Sequence, residues 1–470
     1  MLKDRLRHPL VALSFAALLT APWVTVELTG GPAAAGLGNL GTVAVSGVAV
    51  LGASFMLAWG AETAEKDVPR AFAIAVLAVL AVAPEYAVDA LYAWGAGSGG
   101  ATADACAQYT AQEITQEIDT VAAACHDANL AVANMTGANR ILIGLGWSGI
   151  ALFTVYRAGS SRDSSVEKSE GFLASKVHLD RDIGLEIAFL LLATAFAFTV
   201  PFLGGIDIVD TLVLVGLYVA YIAIIVRGDV DDHEEQVGVP AYLQQRPFLV
   251  RTLTSITLFA YSGLMIYTAV HPFAHGLEEI GLAYDIPKFF MIQWIAPLAS
   301  ESPELIVVVY LVNKARSTAG FNALISSKLN QWTLLIGTLA IVYSIALGAI
   351  GTLPFDEKQA AEIWITAAQS LFAIAIITNF QISVREAVML LVLFVSQVVV
   401  EYAVIVTVAS PVRETELSIA ILYAYTVLYL SLSLGLFWYR RRELAGIFRR
   451  SATTARDAFS STQTPAEGAD

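Results

Sequence analysis

Apolar stretches of about twenty residues recur from residue 10 to residue 438, with only short polar interruptions, and this pattern leaves one class of fold open. A bilayer core about 30 Å thick needs roughly 20 apolar residues per helix. In lipid every backbone N–H and C=O must find a partner inside the protein, which makes each such stretch a helix. Composition agrees, with 57% of residues apolar and 14% charged, against roughly 45 to 50% and about 25% in soluble domains. The longest polar segments are 96–128, 157–181, 227–251 and the tail after Trp438, too short for a soluble domain of ordinary size.

The sequence therefore predicts an all-α polytopic membrane protein of about twelve spans. They fall near 10–28, 41–62, 69–95, 129–156, 182–203, 206–226, 252–270, 287–312, 319–350, 360–378, 383–408 and 417–438. The first has a basic flank (Lys3, Arg5, Arg7) and reads as a retained span, not a cleaved signal. With the amino terminus cytoplasmic, 22 of the 27 Lys and Arg residues lie inside. Lys288, Lys358 and Arg413 lie outside, and Arg140 and Lys328 lie within the membrane. The positive-inside rule favours this orientation, a cell-membrane protein with both termini cytoplasmic. Cys106 and Cys125 share the external loop 96–128, where a disulfide is chemically permitted and two unpaired small residues are the alternative. The net charge of −14 sits largely in water-facing loops and identifies no partner by itself. Trp23, Trp59, Trp94 and Trp438 stand near span ends, where indole rings mark the interface.

Two segments share a pattern. VPRAFAIAVLAVLAVAPEYAVDALYAW is followed, after the acidic loop, by ANLAVANMTGANRILIGLGW; IPKFFMIQWIAPLASESPELIVVVYLV is followed by STAGFNALISSKLNQWTLLIG. Each begins with Pro and a basic residue and reaches Pro-Glu, as Pro84-Glu85 and Pro303-Glu304. The next helix of each carries an Asn (Asn134, Asn322) and, six residues on, a cation (Arg140, Lys328). Glu and Asn are 49 residues apart in the first copy and 18 in the second, so the external loop reads as an insertion of 31. The Pro-Glu helices are the third and the eighth, so the copies enter the membrane from opposite sides. Such inverted-topology repeats hold transported ions near the midplane.

A membrane-buried Pro frees a backbone carbonyl, a Glu beside it supplies charge, and hard cations such as Ca²⁺ and Na⁺ prefer oxygen ligands. Six ionisable residues lie in the paired helices: Glu85, Asp89, Arg140, Glu301, Glu304 and Lys328. At about 2.5 to 3.5 kcal/mol each they would cost roughly 15 to 20 kcal/mol before pairing, which argues for a function. Glu85 with Asp89, and Glu301 with Glu304, each share one helix face. Arg140 and Lys328 read as counter-charges of the site or as ties between helices. Asn330, Gln331, Gln369, Gln397 and Glu401 read as path-lining groups or helix-to-helix hydrogen bonds.

These residues resemble the paired alpha-repeats of the cation/calcium exchanger superfamily, which includes sodium/calcium exchangers. The resemblance implies a ten-helix core of two inverted repeats. Here that gives an extra helix and linker in 1–40, the first repeat in 41–226 with its insertion 96–128, a cytoplasmic linker 227–251 and the second repeat in 252–408. An extra helix in 409–438 and a basic, then polar, tail in 439–470 complete the chain. It further implies that Glu85 and Glu304 are the metal-binding glutamates, for calcium or sodium, with Asn134 and Asn322 beside them, Ser300 and Ser326 at hydroxyl positions, and Asp89 and Glu301 as added carboxylates. The family's Gly-Thr-Ser-x-Pro-Glu stands here as Leu80-Ala81-Val82-Ala83-Pro84-Glu85 and as Ala299-Ser300-Glu301-Ser302-Pro303-Glu304. Its Gly-Ser-Asn element stands as Gly137-Ala138-Asn139 and Ile325-Ser326-Ser327.

The implied function is secondary antiport without a cofactor, calcium exchanged for sodium or protons, with membrane lipid and the cations as partners. The lost hydroxyls and the built-in cations keep monovalent sodium/proton exchange open. A non-transporting sensor or assembly protein on the same fold is a third reading, opposed by the charge kept in both copies. The sequence has no nucleotide loop, Cys/His cluster or nucleophile elbow, so it predicts no enzyme, nucleotide site or nucleic-acid partner.

Overall fold

A computed structural model describes residues 8–64, 66–67, 83–158, 163–168, 172–227, 238–284, 286–313 and 315–460. The architecture is helical throughout. The long helices are α1 (Pro9–Leu28), α2 (Asn39–Ala64), α3 (Ala83–Ser98), α4 (Thr120–Arg157), α5 (Gly184–Leu203), α6 (Ile208–Arg227) and α7 (Phe248–Ala283). They continue as α8 (Lys288–Ser302), α9 (Glu304–Asn313), α10 (Ser317–Leu347), α11 (Glu357–Ile377), α12 (Val384–Thr407), α13 (Pro411–Tyr439) and α14 (Arg441–Ser460). Ten are long and apolar enough to cross a membrane, or eleven with α8 and α9 as one bent span, among the described residues. The expected third span, 69–95, lies outside the described residues up to residue 82, so twelve is not the count observed.

Local sequence explains the helix starts. Pro9 opens α1 behind His8, whose Nδ1 accepts from the Leu10 N–H. Asp356 caps α11, and Ser383 with Glu386 forms a capping box on α12. Between α8 and α9 the chain bends by 50° at Pro303, which lacks the N–H needed to continue the ladder. Two differences from the sequence reading stand out. Expected over 252–270, α7 runs for 36 residues through Pro272, about 54 Å at 1.5 Å per residue and longer than a bilayer core. Within the stretch expected as a basic, then polar, tail over 439–470, residues 441–460 form a helix that packs against α5 and α6, burying Ile447 and Ala458.

Burial separates the centre from the rim. About four fifths of the apolar windows of α4 and α11 is buried (78% and 83%), against 22% for α1, α12 and α13. The two copies of the sequence repeat interlock at that centre: α3 packs on α4 and α10, and α4 on α8, α9 and α11. Contact between α4 and α8 depends on Gly137, where a Cβ would lie 1.9 Å from the Gln293 carbonyl oxygen. Beside the core α2 and α7 form the most extensive helix pair. Trp23, expected at an interface, is instead fully buried between helices, and its indole N–H donates to Thr268.

Short antiparallel strands tie the loops together. β1 (Val166–Glu167), β2 (Lys176–His178) and β5 (Gln381–Ser383) form one sheet, and β3 (Gly205–Ile206) with β4 (Leu353–Pro354) another. Cys106 and Cys125 are joined in a disulfide with their Cα atoms 5.7 Å apart, so the pairing that sequence left open is made.

Candidate functional site

Glu85 and Asp89 lie one turn apart on α3, both buried. Asn134 of α4 donates to Asp89 Oδ1 at 2.8 Å, while Asn134 Oδ1 and Asp89 Oδ2 meet no donor. From the second copy, Glu301 is buried at the end of α8, and Glu304 is half-buried at the start of α9. Glu85, Glu301 and Glu304 lie within Coulombic reach of one another, and Asp89 within reach of Glu85. The fold thus collects all four expected carboxylates, two from each copy.

Neutral oxygen surrounds them. The Ser300 hydroxyl lies within hydrogen-bonding reach of Glu85 and of the Pro297 carbonyl, the latter at 3.2 Å. Ser327 donates to Glu304 Oε2 at 2.8 Å. Ser326, the expected hydroxyl, is half-buried, and the adjacent position makes the contact. Asn322 keeps a buried Oδ1 without a donor. Gln331 donates to Glu301 through Nε2. Among the described residues no three His, Cys, Asp or Glu side chains form a ready-made metal cluster. A cation here would draw its remaining ligands from the Asn, Ser and backbone oxygens that hard cations accept.

The two matched cations part company. Lys328 is fully buried, donates to Asn139 Oδ1 at 2.6 Å and to the Asn139 carbonyl at 3.3 Å, and lies 4.4 Å from the Trp332 ring centre. It is also within Coulombic reach of Glu301. Arg140 instead pairs with Glu362 of α11 and stacks over Trp294 at 4.7 Å. As a counter-charge Arg140 therefore serves Glu362. The reason is packing: α11 lies against α4 and carries a carboxylate at the depth of Arg140.

A π-helical turn follows each cation, Leu142–Trp147 in α4 and Gln331–Leu335 in α10, and a third, Met291–Ile295, precedes the second Pro-Glu. Such turns are frequent at functional sites, because the extra residue interrupts the regular ladder. Asn139 and Ser327 stand in the Gly-Ser-Asn element of the sequence without an expected role of their own, and Glu362 was not among the expected site residues although it is the sole acidic residue in the expected span 360–378.

Comparison with known proteins identifies the family of the chain. The sequence model of the family described as "Sodium/calcium exchanger protein" matches residues 118–227 and 254–403. The solved structure titled "Crystal Structure of H+/Ca2+ Exchanger CAX" is 39% identical, with a TM-score of 0.78, covering 96% of this chain and 99% of that one. A structure of the "Ca2+/H+ antiporter" YfkE is 13% identical with a TM-score of 0.54, covering 82% of this chain and 98% of that one, a likeness of fold. The sodium-calcium exchanger NCX_Mj is 16% identical with a TM-score of 0.46, over 77% of this chain and 98% of that one. No curated protein sequence matches the chain significantly.

Proposed function

The chain belongs to the sodium/calcium exchanger protein family, and from that premise we propose that it exchanges Ca²⁺ for protons by alternating access around Glu85 and Glu304. One observation carries the reading: carboxylates from both copies of the repeat converge in a buried, oxygen-lined cluster. Asp89, Glu301, Asn134, Asn322 and Ser300 complete the proposed site, with Ser327 acting in place of Ser326. Lys328 is its counter-charge.

Charge supports protons as the counter-ion. With Arg140 held by Glu362, four carboxylates face the one ammonium that the described residues bring to them, Lys328, a formal −3 when all are ionised. Leaving charge uncompensated in the membrane costs several kcal/mol per group. The site must therefore return loaded, and protons can neutralise the carboxylates in place without a second set of ligands. The relative that is 39% identical is titled an H+/Ca2+ exchanger, which points the same way. The inverted repeat gives the two-sided access. The disulfide joins residues of loop 96–128, and disulfides persist on the oxidising side of a membrane. That supports an outward loop with cytoplasmic termini.

Purified protein in sealed vesicles tests the ion pairing. An imposed pH gradient in sodium-free medium should drive Ca²⁺ accumulation, and a sodium gradient at equal pH should drive none. Accumulation on the sodium gradient alone would replace protons with sodium, and no Ca²⁺ movement on either would remove calcium as cargo.

A further inference from the structure

Helix α14 leaves the last span at the membrane surface and stays there. At its junction with α13, Arg440 donates to the Ala375 carbonyl at 3.1 Å and to that of Ile376 at the end of α11, and pairs with Glu386 in the first turn of α12. Midway along α14 the Ser451 hydroxyl donates to the carbonyl of Gly184, the first residue of α5, at 3.3 Å. Near the end, the ring centre of Phe459 lies 4.7 Å from the guanidinium of Arg227, the last residue of α6. All of these are span ends that the distribution of Lys and Arg places inside. A helix of 20 residues is about 30 Å long at 1.5 Å per residue. Held at its start, middle and end by span ends of one side, it lies along that surface.

Three faces follow one another around this helix. Ile447 and Ala458 are buried against the protein, with Leu444 and Ser451 half-buried beside them. About 100° on from Ile447 stands Phe448, 39% exposed, on a flank that also holds the exposed Ala445 and Ala452. Next comes a row of exposed arginines at seven-residue intervals, Arg442, Arg449 and Arg456, about 10.5 Å apart along the axis. Five arginines against Glu443 and Asp457 give α14 a local net charge of +3 in a chain of net −14. At its root Trp438 is 74% and Tyr439 83% exposed, and the Arg441 guanidinium lies 5.2 Å from the Trp438 ring centre.

An apolar flank between a protein-packed face and a cationic row suits the boundary of a bilayer, where hydrocarbon meets one side of a helix and headgroups the next. Guanidinium groups bind phosphate oxygens through paired N–H donors, and an anionic leaflet supplies phosphates in the plane where α14 already lies. An acidic protein would answer the arginines but leave Phe448 and the aromatic root without an apolar neighbour. We propose that α14 is a binding surface for anionic phospholipids of the inner leaflet, with Arg442, Arg449 and Arg456 on their phosphates and Phe448 at the acyl boundary. The choice of leaflet rests on the orientation with cytoplasmic termini. Because α5 and α6 belong to the first repeat and α11 and α12 to the second, lipid held along α14 meets a helix fastened to both.

The test titrates the purified full chain, in neutral detergent, with dioleoylphosphatidylglycerol or with zwitterionic dioleoylphosphatidylcholine. A lipid that binds the folded state raises the unfolding midpoint. Phosphatidylglycerol should stabilise wild type well beyond phosphatidylcholine, and added salt should reduce the difference. R442Q/R449Q/R456Q alters only exposed side chains and should unfold like wild type without lipid. It should need at least about tenfold more phosphatidylglycerol for the same rise, since each arginine near an anionic surface is worth about fivefold in affinity. R442K/R449K/R456K should keep most of the response. Both native cysteines are in the disulfide, so a nitroxide on F448C reports on this site alone. In vesicles of phosphatidylcholine mixed with phosphatidylglycerol, oxygen should reach it more readily than a water-soluble nickel complex does. Equal responses of wild type and the glutamine variant, or an F448C label open only to water, would overturn the proposal. So would a wild type indifferent to phosphatidylglycerol, which would leave the arginine row to an acidic protein. No cargo is moved, so the outcome is independent of calcium-for-proton exchange.

Discussion

The two copies of the repeat carry the same residue types at the same spacing, yet the fold gives them different partners. In the first copy Glu85 and Asp89 are both buried on α3, and Asn134 is committed to Asp89. In the second, the chain bends by 50° between α8 and α9, Glu304 is only half-buried, and its donor is Ser327 from the following helix. The cations diverge further: Arg140 turns to Glu362, while Lys328 spans the copies to Asn139. A charge at a matched sequence position thus fixes the need for a partner, and the neighbouring helix decides which one. In the first copy Asn134 thus holds Asp89, and in the second Ser327 holds Glu304.

The sharpest way to break this comparison is to neutralise each glutamate in turn. E85Q and E304Q should each reduce exchange by at least about 100-fold, since even outer partners of metal ligands are worth 10- to 100-fold. Uptake in vesicles, with insertion checked separately, decides. Near-normal exchange by either variant would show that one copy carries the cation alone. Next in size are the cations. R140M should lower stability by roughly 3 to 5 kcal/mol, because it leaves Glu362 buried without its partner, and R140M/E362M should recover most of that loss. K328M should instead tighten apparent Ca²⁺ affinity by removing positive charge beside Glu301. Thermal unfolding and Ca²⁺ titration of both variants would overturn the division of labour if their effects were interchanged. Smaller still is the hydroxyl at Glu304. S327A should weaken Ca²⁺ binding about tenfold, the loss of a hydrogen bond of about 1.4 kcal/mol to a charged group, and S326A should leave it unchanged.

How much of this was legible in the sequence differs between fold and site. Apolar runs and the repeated Pro-Glu are one-dimensional signals, so the helical membrane architecture and the four carboxylates could be read directly. The partner of Arg140 could not, because α4 and α11 are more than two hundred residues apart and only tertiary packing brings them together. Likewise Ser326 and Ser327 are indistinguishable in composition, and their roles depend on rotation of α10 by one residue, about 100°. The length of α7 escaped for a different reason: Pro272 and the charges Glu278 and Glu279 resemble a span end, yet the helix continues beyond the apolar stretch. Glu362, an intramembrane carboxylate of the kind that is a functional candidate by default, was not singled out, and the fold gives it Arg140 as its ion-pair partner.

The smallest expected effect concerns the plainest difference between the copies, the insertion after α3. Its short helices Ala103–Cys106 and Ala111–Thr115 lead to Glu117, which pairs with His126 Nδ1 at 2.9 Å and accepts from Lys288 Nζ at 2.9 Å. Lys288 opens α8, so the insertion of the first copy is tied to the first residue of the second copy's Pro-Glu arm. The hydrogen bond from His126, then Lys288 beside it, outweighs desolvation and lowers the Glu117 carboxyl from its ordinary 4.5 to about 2. A folded-state value below the unfolded one means that folding favours the ionised form. The stabilisation is therefore complete above about pH 4.5 and is lost as pH falls through that window towards about 2. Glu117 retains 31% of its side-chain exposure, so salt screens the contribution and keeps it modest. E117Q should unfold at a slightly lower temperature than wild type at neutral pH, with a flatter fall on acidification, and added salt should narrow the gap. If E117Q and wild type lose stability in parallel across the acid range, Glu117 does not secure the insertion, and the two copies are joined only through their buried helices.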